Sequence, residues 1–360
     1  MSTTDVRPRI LSGVQPSGKL HLGNYFGAIK QHIEQQDSGE CFYFIADYHA
    51  LTTLKEAEEK EIAIAAKQKG MVPRPAKQIL ADNVRDVALD YLALGLNPAK
   101  TTFYRQSDVP EVCELAWVLS TVSGMGLLER AHSYKDKTER GITPSVGLFT
   151  YPILMAADIL IVRSHQVPVG KDQEQHLEMT RNIAGSFNHQ YGEIFPLPDA
   201  VFNEAAVVPG TDGQKMSKSY GNTIEIFAEG KALKTAVMGI VTDSTPVDAP
   251  KNPDTCTAFA LYKLFATQAE QAELAELYKN PTKGAEARGG RPFGYGDAKT
   301  MLHAKLDAYF AAARERRKQL ARDPGLVEEA LTAGAKRARE VARVTLQLVR
   351  QAVGISARPV

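Results

Sequence analysis

Short apolar runs of strand length alternate with stretches of helical period over the first 200 residues, and helical period alone continues after about residue 230. Ile10-Leu11 and the segments at 41–51 (CFYFIADYHAL), 101–109 (TTFYRQSDV) and 166–170 (QVPVG) open apolar and close on polar or turn residues. Buried strands running into loops look like this. Between them, 21–36, 55–69, 76–95, 111–131, 147–162 and 171–187 repeat at helical spacing, and the third closes on Gly95 with Pro98 just beyond. Alternating strands and helices predict a doubly wound, mostly parallel, Rossmann-like α/β sheet. Residues 228–241, 257–278, 295–321 and 325–355 are helical in period, so an all-helical part follows. The expected organisation is an α/β domain over 1–205, a loop over 206–230 and a helical domain over 231–360.

Composition narrows the class without changing this picture. At 360 residues, 44% apolar and 24% charged, the chain reads as a globular protein of one large or two ordinary domains. No apolar run reaches bilayer length, and the first ten residues carry Asp5 and no apolar core, so neither a membrane partner nor a secretory signal is expected. Cys41, Cys113 and Cys256 form no metal spacing and read as reduced, core-filling thiols of a cytosolic protein. The seven histidines besides His21 make no metal set either. Net charge is only +1, yet residues 301–360 hold 12 Lys/Arg against 6 Asp/Glu. That surplus reads either as solvated helix faces or as a surface for a phosphate backbone.

Two stretches carry candidate chemistry. SGVQPSGKLHLGNYFGAI (12–29) places turn residues straight after the first strand and His21 and Asn24 in the first turn of a helix. It matches neither the P-loop nor the dinucleotide fingerprint. A helix start after a strand suits an anion, and Gly23 lets a flat ligand lie near the backbone. A plain strand-to-helix turn with a capping histidine is the alternative. The second stretch, GQKMSKSYGN (213–222), sets Lys215 and Lys218 beside Ser217 and Ser219 in a glycine-flanked loop, with Met216 its only apolar side chain to bury. Two lysines so placed have little structural use and would neutralise a polyphosphate.

Together these stretches resemble the two signatures of class I aminoacyl-tRNA synthetases, with HLGN (21–24) for the histidine motif and KMSKS (215–219) unaltered. Within the class the chain is similar to the tryptophanyl family, through GVQPSGKLHLGNYFGA, DYHALT, LLERAHSYKDK, TYPILMAADIL and VPVGKDQEQH. The resemblance implies ATP with Mg²⁺ bridging its phosphates, L-tryptophan and tRNA(Trp) as partners, and a homodimer joined by a helical region near 111–140. It implies that Gln15, Pro16 and Ser17 border the ATP, that His21, Gly23 and Asn24 hold its ribose and phosphates, and that Gly170, Lys171 and Asp172 line the adenosine. Val208 is implied as an adenine backbone contact. Lys215, Met216, Ser217, Lys218 and Ser219, with Lys137 in a polar loop, would face the triphosphate.

Indole offers one N–H donor and no acceptor, so a selective pocket needs one buried acceptor among apolar walls. Asp158 is the candidate, since Tyr151, Met155 and Asp158 share a helix face at steps of four and three. A structural pairing of Asp158 with an arginine such as Arg163 is the alternative, which the resemblance disfavours. The resemblance also implies that Tyr151 and Gln173 hold the substrate's amino and carboxylate ends, and that Leu11, Gly13, Val167 and Val169 shape the pocket. Trp117 reads as core or subunit interface. The segment near 55–80 is longer than the family needs, and no function follows from it.

Overall fold

The computed structural model describes residues 7–68, 70–139, 144–202 and 207–355, without the side chains of Ser133, Asp136, Lys137, Thr138, Asp172 and Ala287. Five parallel strands form one sheet: β1 (Arg9–Val14), β2 (Glu40–Ile45), β3 (Thr102–Arg105), β4 (Gln166–Val169) and β5 (Asp199–Phe202). Their order is β3-β2-β1-β4-β5. The α/β expectation holds. β2 lies inside the sheet, between β3 and β1, and is buried along nearly its whole length, which is why it reads as an unbroken apolar run. Strand order reverses between β1 and β4, so the loops after Val14 and Val169 leave the sheet at its switch point, where doubly wound sheets bind ligands. Gly13, near the end of β1, lies against the ring of Phe44; a Cβ there would come within 2.5 Å of it.

Local differences from the sequence reading have physical causes. β5 was not anticipated, because this edge strand is only four residues long and exposed at Asp199 and Phe202, too short to show a period. The helix expected over 111–131 divides into Glu111–Ser120 and Met125–Glu129, with Gly124 extended between them. The helix expected over 257–278 divides at Thr267, whose side chain caps Gln268–Lys279 by accepting from Glu270 N–H. Residues 22–34 are helical as expected, but Tyr25–Ile29 widens into a π-helical turn directly after HLGN.

The chain forms two compact units whose boundaries differ from those expected at 205 and 231. The first comprises residues 1–18, 31–203 and 320–360; the second comprises 19–30 and 204–319. In the first unit the last helix, Pro324–Ala352, covers β3 and the Glu111–Ser120 helix. Between Leu331 and Thr345 its buried stripe is made of small residues, Gly334, Ala335, Ala338 and Ala342, which lets backbone meet backbone. A Cβ on Gly334 would stand 1.8 Å from the carbonyl oxygen of Phe103. The basic residues of this helix close the seam. Arg339 and Arg343 reach Glu111 at 2.9 and 3.1 Å, Arg350 reaches Glu114, and Arg337 donates to the carbonyls of Pro98 and Thr101, both at 2.8 Å. Much of the C-terminal basic surplus therefore serves internal ion pairs and hydrogen bonds.

In the second unit, residues 20–22 run beside 224–226. Leu22 N–H donates to Ile224 O at 3.0 Å and Ile226 N–H to Leu20 O at 3.1 Å. Tyr25 and Phe26 pack edge-on against Phe310 and Phe265 at centroid distances of 5.0 and 5.3 Å. These contacts tie the helix that follows HLGN to the second unit. Elsewhere, Cys41 and Cys256 are buried as expected, whereas Cys113 is exposed. Trp117 is 73% exposed, so its core reading is wrong. No helix among the described residues is long and apolar enough to cross a membrane.

The Gly334 contact yields a paired prediction. Gly334→Ala must push the last helix off β3 and should cost about 1–3 kcal/mol of stability. Gly185→Ala, in the open interior of Glu174–Tyr191 with nothing within 4 Å of the added methyl, should instead gain about 0.5–1 kcal/mol. Urea melts of the two variants against wild type check both signs.

Candidate active site

In the first unit, the helix Val146–Ile161 presents Tyr151, Met155 and Asp158 on one face. Ser145 caps it, its side chain accepting from Leu148 N–H, and the middle of the helix is almost wholly apolar, so its inner face is drawn into the core. Asp158 is 3% exposed. Its partners are not Arg163 but two side chains from neighbouring strand ends. His49 Nε2 lies 2.8 Å from Oδ2, and Gln106 Nε2 donates to Oδ1 and Oδ2 at 2.8 and 2.9 Å. Burial raises the Asp158 pKa, and the hydrogen bond and charge of His49, with the Gln106 hydrogen bond, offset that rise only in part.

The donors are themselves held. His49 belongs to the turn after β2 and Gln106 to the turn after β3. Asp47 joins the two turns, accepting from Ser107 N–H at 2.9 Å and from the Ser107 hydroxyl. Gln106 Oε1 accepts from Tyr48 N–H at 3.1 Å. On the same side, Tyr151 OH pairs with His176 Nε2, and His176 Nδ1 lies 3.0 Å from Gln173 Oε1. Tyr151 and Gln173 are thus joined through His176. The sequence reading missed His49, Gln106 and His176. His49 and Gln106 lie in the polar steps that close two strand segments, which was their only sequence signal.

The other first-unit candidates, Lys137 apart, lie on β1, β4 and the loops that follow them. Leu11 and Val167 are buried core, and Val169 is half-buried. After β1, Gln15 Nε2 donates to the Thr53 hydroxyl at 3.2 Å and Ser17 N–H to Gln15 O at 2.9 Å, with Pro16 between them. After β4, Gly170 precedes a single 3₁₀ turn, Lys171–Gln173. The side chains of Asp172 and Lys137 lie outside the described residues. The backbone of Lys137 is in the helix His132–Glu139, not in a loop.

In the second unit, His21 N–H donates to Asn24 Oδ1 at 3.1 Å, so Asn24 caps its own helix start. His21 is buried, and its Nδ1 has no hydrogen-bond partner among the described residues. A Cβ on Gly23 would lie 3.0 Å from the His21 ring and 3.5 Å from Met216 Cβ, so the HLGN turn is tightly lined. Met216 is buried as expected, while Lys215, Lys218 and Ser219 are exposed. Ser217 starts a 3₁₀ turn, Lys218–Tyr220, its hydroxyl accepting from Ser219 N–H. Val208 O accepts from Met216 N–H at 2.9 Å, which makes Val208 part of the hairpin beneath the lysines. This unit offers a neutral imidazole, amides and two exposed cations, a set suited to a polyanion.

A parallel sheet of this order, with HLGN and KMSKS, defines a class I aminoacyl-tRNA synthetase. The family profile "tRNA synthetases class I (W and Y)" matches residues 3–311, and the chain belongs to that family. It is 50% identical to a tryptophan–tRNA ligase of Fusobacterium nucleatum over 349 residues, covering 96% of this chain and 98% of the relative. The crystal structure of tryptophanyl-tRNA synthetase from Campylobacter jejuni, in complex with ADP and tryptophan, aligns with a TM-score of 0.83 at 46% identity. That match covers 96% of this chain and 99% of the other. A tyrosyl-tRNA synthetase from Archaeoglobus fulgidus, solved with L-tyrosine, shares the fold with a TM-score of 0.61 at 20% identity, covering 86% of this chain and 90% of the other.

The His21 environment predicts a pH response. Burial first, and then the Lys218 ammonium, lower its pKa from 6.5 to about 4. Above 6.5 the imidazole is neutral whether the chain is folded or not. As pH falls from 6.5 towards 4 the unfolded chain takes a proton that the folded one refuses, so stability is lost over that range. An NMR titration should find the His21 midpoint near 4. Lys218→Ala should raise it only part of the way to 6.5, because burial remains.

Proposed function

We propose that this chain activates L-tryptophan with ATP, forming tryptophanyl-adenylate and pyrophosphate, and transfers the tryptophanyl group to tRNA(Trp) with release of AMP. The likeness at 46–50% identity over nearly the whole chain supports the reaction. The observation that carries the choice of amino acid is the buried Asp158 carboxylate. A carboxylate has about four lone-pair sites. Three are engaged by His49 and Gln106, which leaves one for the indole N–H. Phenylalanine would leave that site empty, and rejection of this kind reaches ~10⁴–10⁵ without an editing step.

In the first step the tryptophan carboxylate attacks the α-phosphorus of ATP and the bond to the pyrophosphate oxygen breaks. The nucleophile comes with the substrate, so the protein supplies position and charge. Tyr151 and Gln173, tied through His176, orient the amino and carboxylate ends. Met155, Gly13, Val167 and Val169 shape the apolar walls. His21, Gly23 and Asn24 hold ribose and phosphates, and a neutral His21 can accept as well as donate. Gln15, Pro16, Ser17, Gly170, Lys171, Asp172 and Val208 border the nucleotide. Lys215 and Lys218, with Met216, Ser217 and Ser219 as their frame and Lys137 as a third cation, neutralise the leaving pyrophosphate. Mg²⁺ bound with the nucleotide would add to that neutralisation and would need few protein ligands. In the second step a ribose hydroxyl of the tRNA's terminal adenosine takes the aminoacyl group and AMP leaves.

The same reading includes a cytoplasmic homodimer, the outer face of Glu111–Ser120 with exposed Trp117 and Cys113 meeting a second copy. The helical part expected over 231–360 is assigned to the anticodon, less Pro324–Ala352, which packs on β3 in the first unit. Pyrophosphate exchange tests the reading. Wild type should exchange with tryptophan and not with tyrosine or phenylalanine. Asp158→Ala should lower kcat/KM for tryptophan about 10–100-fold, the worth of a hydrogen bond to a charged group. Exchange driven by tyrosine would overturn the amino-acid assignment.

A further inference from the structure

The loop that carries Lys215 and Lys218 is organised around one buried amide. Asn222 is 2% exposed. Its Nδ2 donates to Asp212 Oδ1 at 2.7 Å and to the carbonyl of Lys215 at 3.1 Å. Its Oδ1 accepts from Ser217 N–H at 2.8 Å. Its main-chain carbonyl accepts from Thr211 N–H at 2.9 Å. Both side-chain donors are therefore engaged, and the acceptor is too. Gly210 makes room: a Cβ there would meet the Asn222 amide nitrogen at 2.2 Å.

The bonds fall on either side of each lysine. Lys215 is fixed through its own carbonyl and through the Pro209–Lys215 bridge. Lys218 follows Ser217, whose N–H is bound, and opens a 3₁₀ turn that closes on Gly221 in the left-handed region at φ +67°. Asp212, the partner of the amide, also accepts from Gln214 N–H at 3.0 Å and so fixes the hairpin turn before the lysines. Both lysines are exposed, and the backbone that carries them is held by Asn222 at Lys215 O and Ser217 N–H. Aspartate could not serve here, because its carboxylate would face that of Asp212 and the carbonyl of Lys215 with no hydrogen to donate.

We infer that Asn222, seated over Gly210 and joined to Asp212, is a positioning residue that sets where Lys215 and Lys218 present their charges to the triphosphate. The inference rests on the reading that these lysines contact the phosphates. Its effect falls on ATP and not on tryptophan, whose candidate residues belong to the other unit.

The test is pyrophosphate exchange with ATP varied, alongside calorimetric binding of tryptophan in the absence of ATP. Asn222→Ala should lower kcat/KM for ATP at least tenfold while tryptophan binding stays within twofold, which also shows that the variant is folded. Asn222→Asp should be worse than Asn222→Ala. Adding Asp212→Asn to Asn222→Asp should recover at least fivefold over Asn222→Asp, because the amide at position 212 then donates to the carboxylate at 222. Gly210→Ala, which displaces the same amide, should reproduce the ATP-specific loss. The inference is overturned if Asn222→Ala stays within twofold of wild type for ATP, if ATP and tryptophan parameters fall together, or if the exchange of the two side chains recovers nothing. Lys215→Ala and Lys218→Ala are the controls. Should they leave the ATP parameters unchanged, the phosphate reading fails first, and this inference with it.

Discussion

A carboxylate taken out of water must be given donors, and the first unit is arranged around that requirement at Asp158. Charged groups lose several kcal/mol on burial unless hydrogen bonds replace the water. Here the replacements, His49 and Gln106, come from the turns after two adjacent strands, β2 and β3. Those turns stay in register because Asp47 bonds to Ser107 across them. The acceptor is built on a helix, the donors on a sheet edge, and the parallel strand order sets the two at the required distance. Removing either donor leaves a buried charge short of partners, a larger perturbation than the size of the side chain suggests.

The second unit treats charge in the opposite way. Lys215 and Lys218 are exposed, while the neutral Asn222 beneath them is the buried member. The contrast fits the tasks proposed for these residues. An acceptor that must distinguish one N–H from none gains selectivity from a dry, rigid site. A cation that must neutralise a departing phosphate keeps its reach when hydrated and on a long stem. Rigidity is supplied to that loop through its backbone.

The strands β1 to β4 were legible because each is a short apolar run closed by turn residues, and the sheet class followed from their alternation with helices. β5 was not, because four residues with exposed ends give no period to read. Helical period showed that the last helix buries one face, but not which surface covers it. The stripe of Gly334, Ala335, Ala338 and Ala342 gains meaning only beside Phe103. Its arginines read as solvent-facing on composition, with an RNA-facing surface as the alternative, until Glu111 and Glu114 were found opposite them. At the site, Asp158 could be singled out by helical spacing, whereas His49 and Gln106 come from segments 57 residues apart that only the folded sheet unites. Asn222 stood in view at the end of GQKMSKSYGN, but an amide shows its bonds only once the loop is closed.

The way the last helix lies on β3 also orders events during synthesis. Thr102–Arg105 leaves the ribosome more than two hundred residues before the helix that covers it, Pro324–Ala352. At about 5–20 residues per second, the outer edge of the sheet waits roughly 10–45 s for its cover. Through that interval the nascent chain can hold much of its sheet but not its finished fold, with the backbone of Phe103 open to any passing strand. Completion of the first unit is thus timed by translation of its farthest segment, and during that wait the chain depends on whatever shields exposed strand edges in the cell.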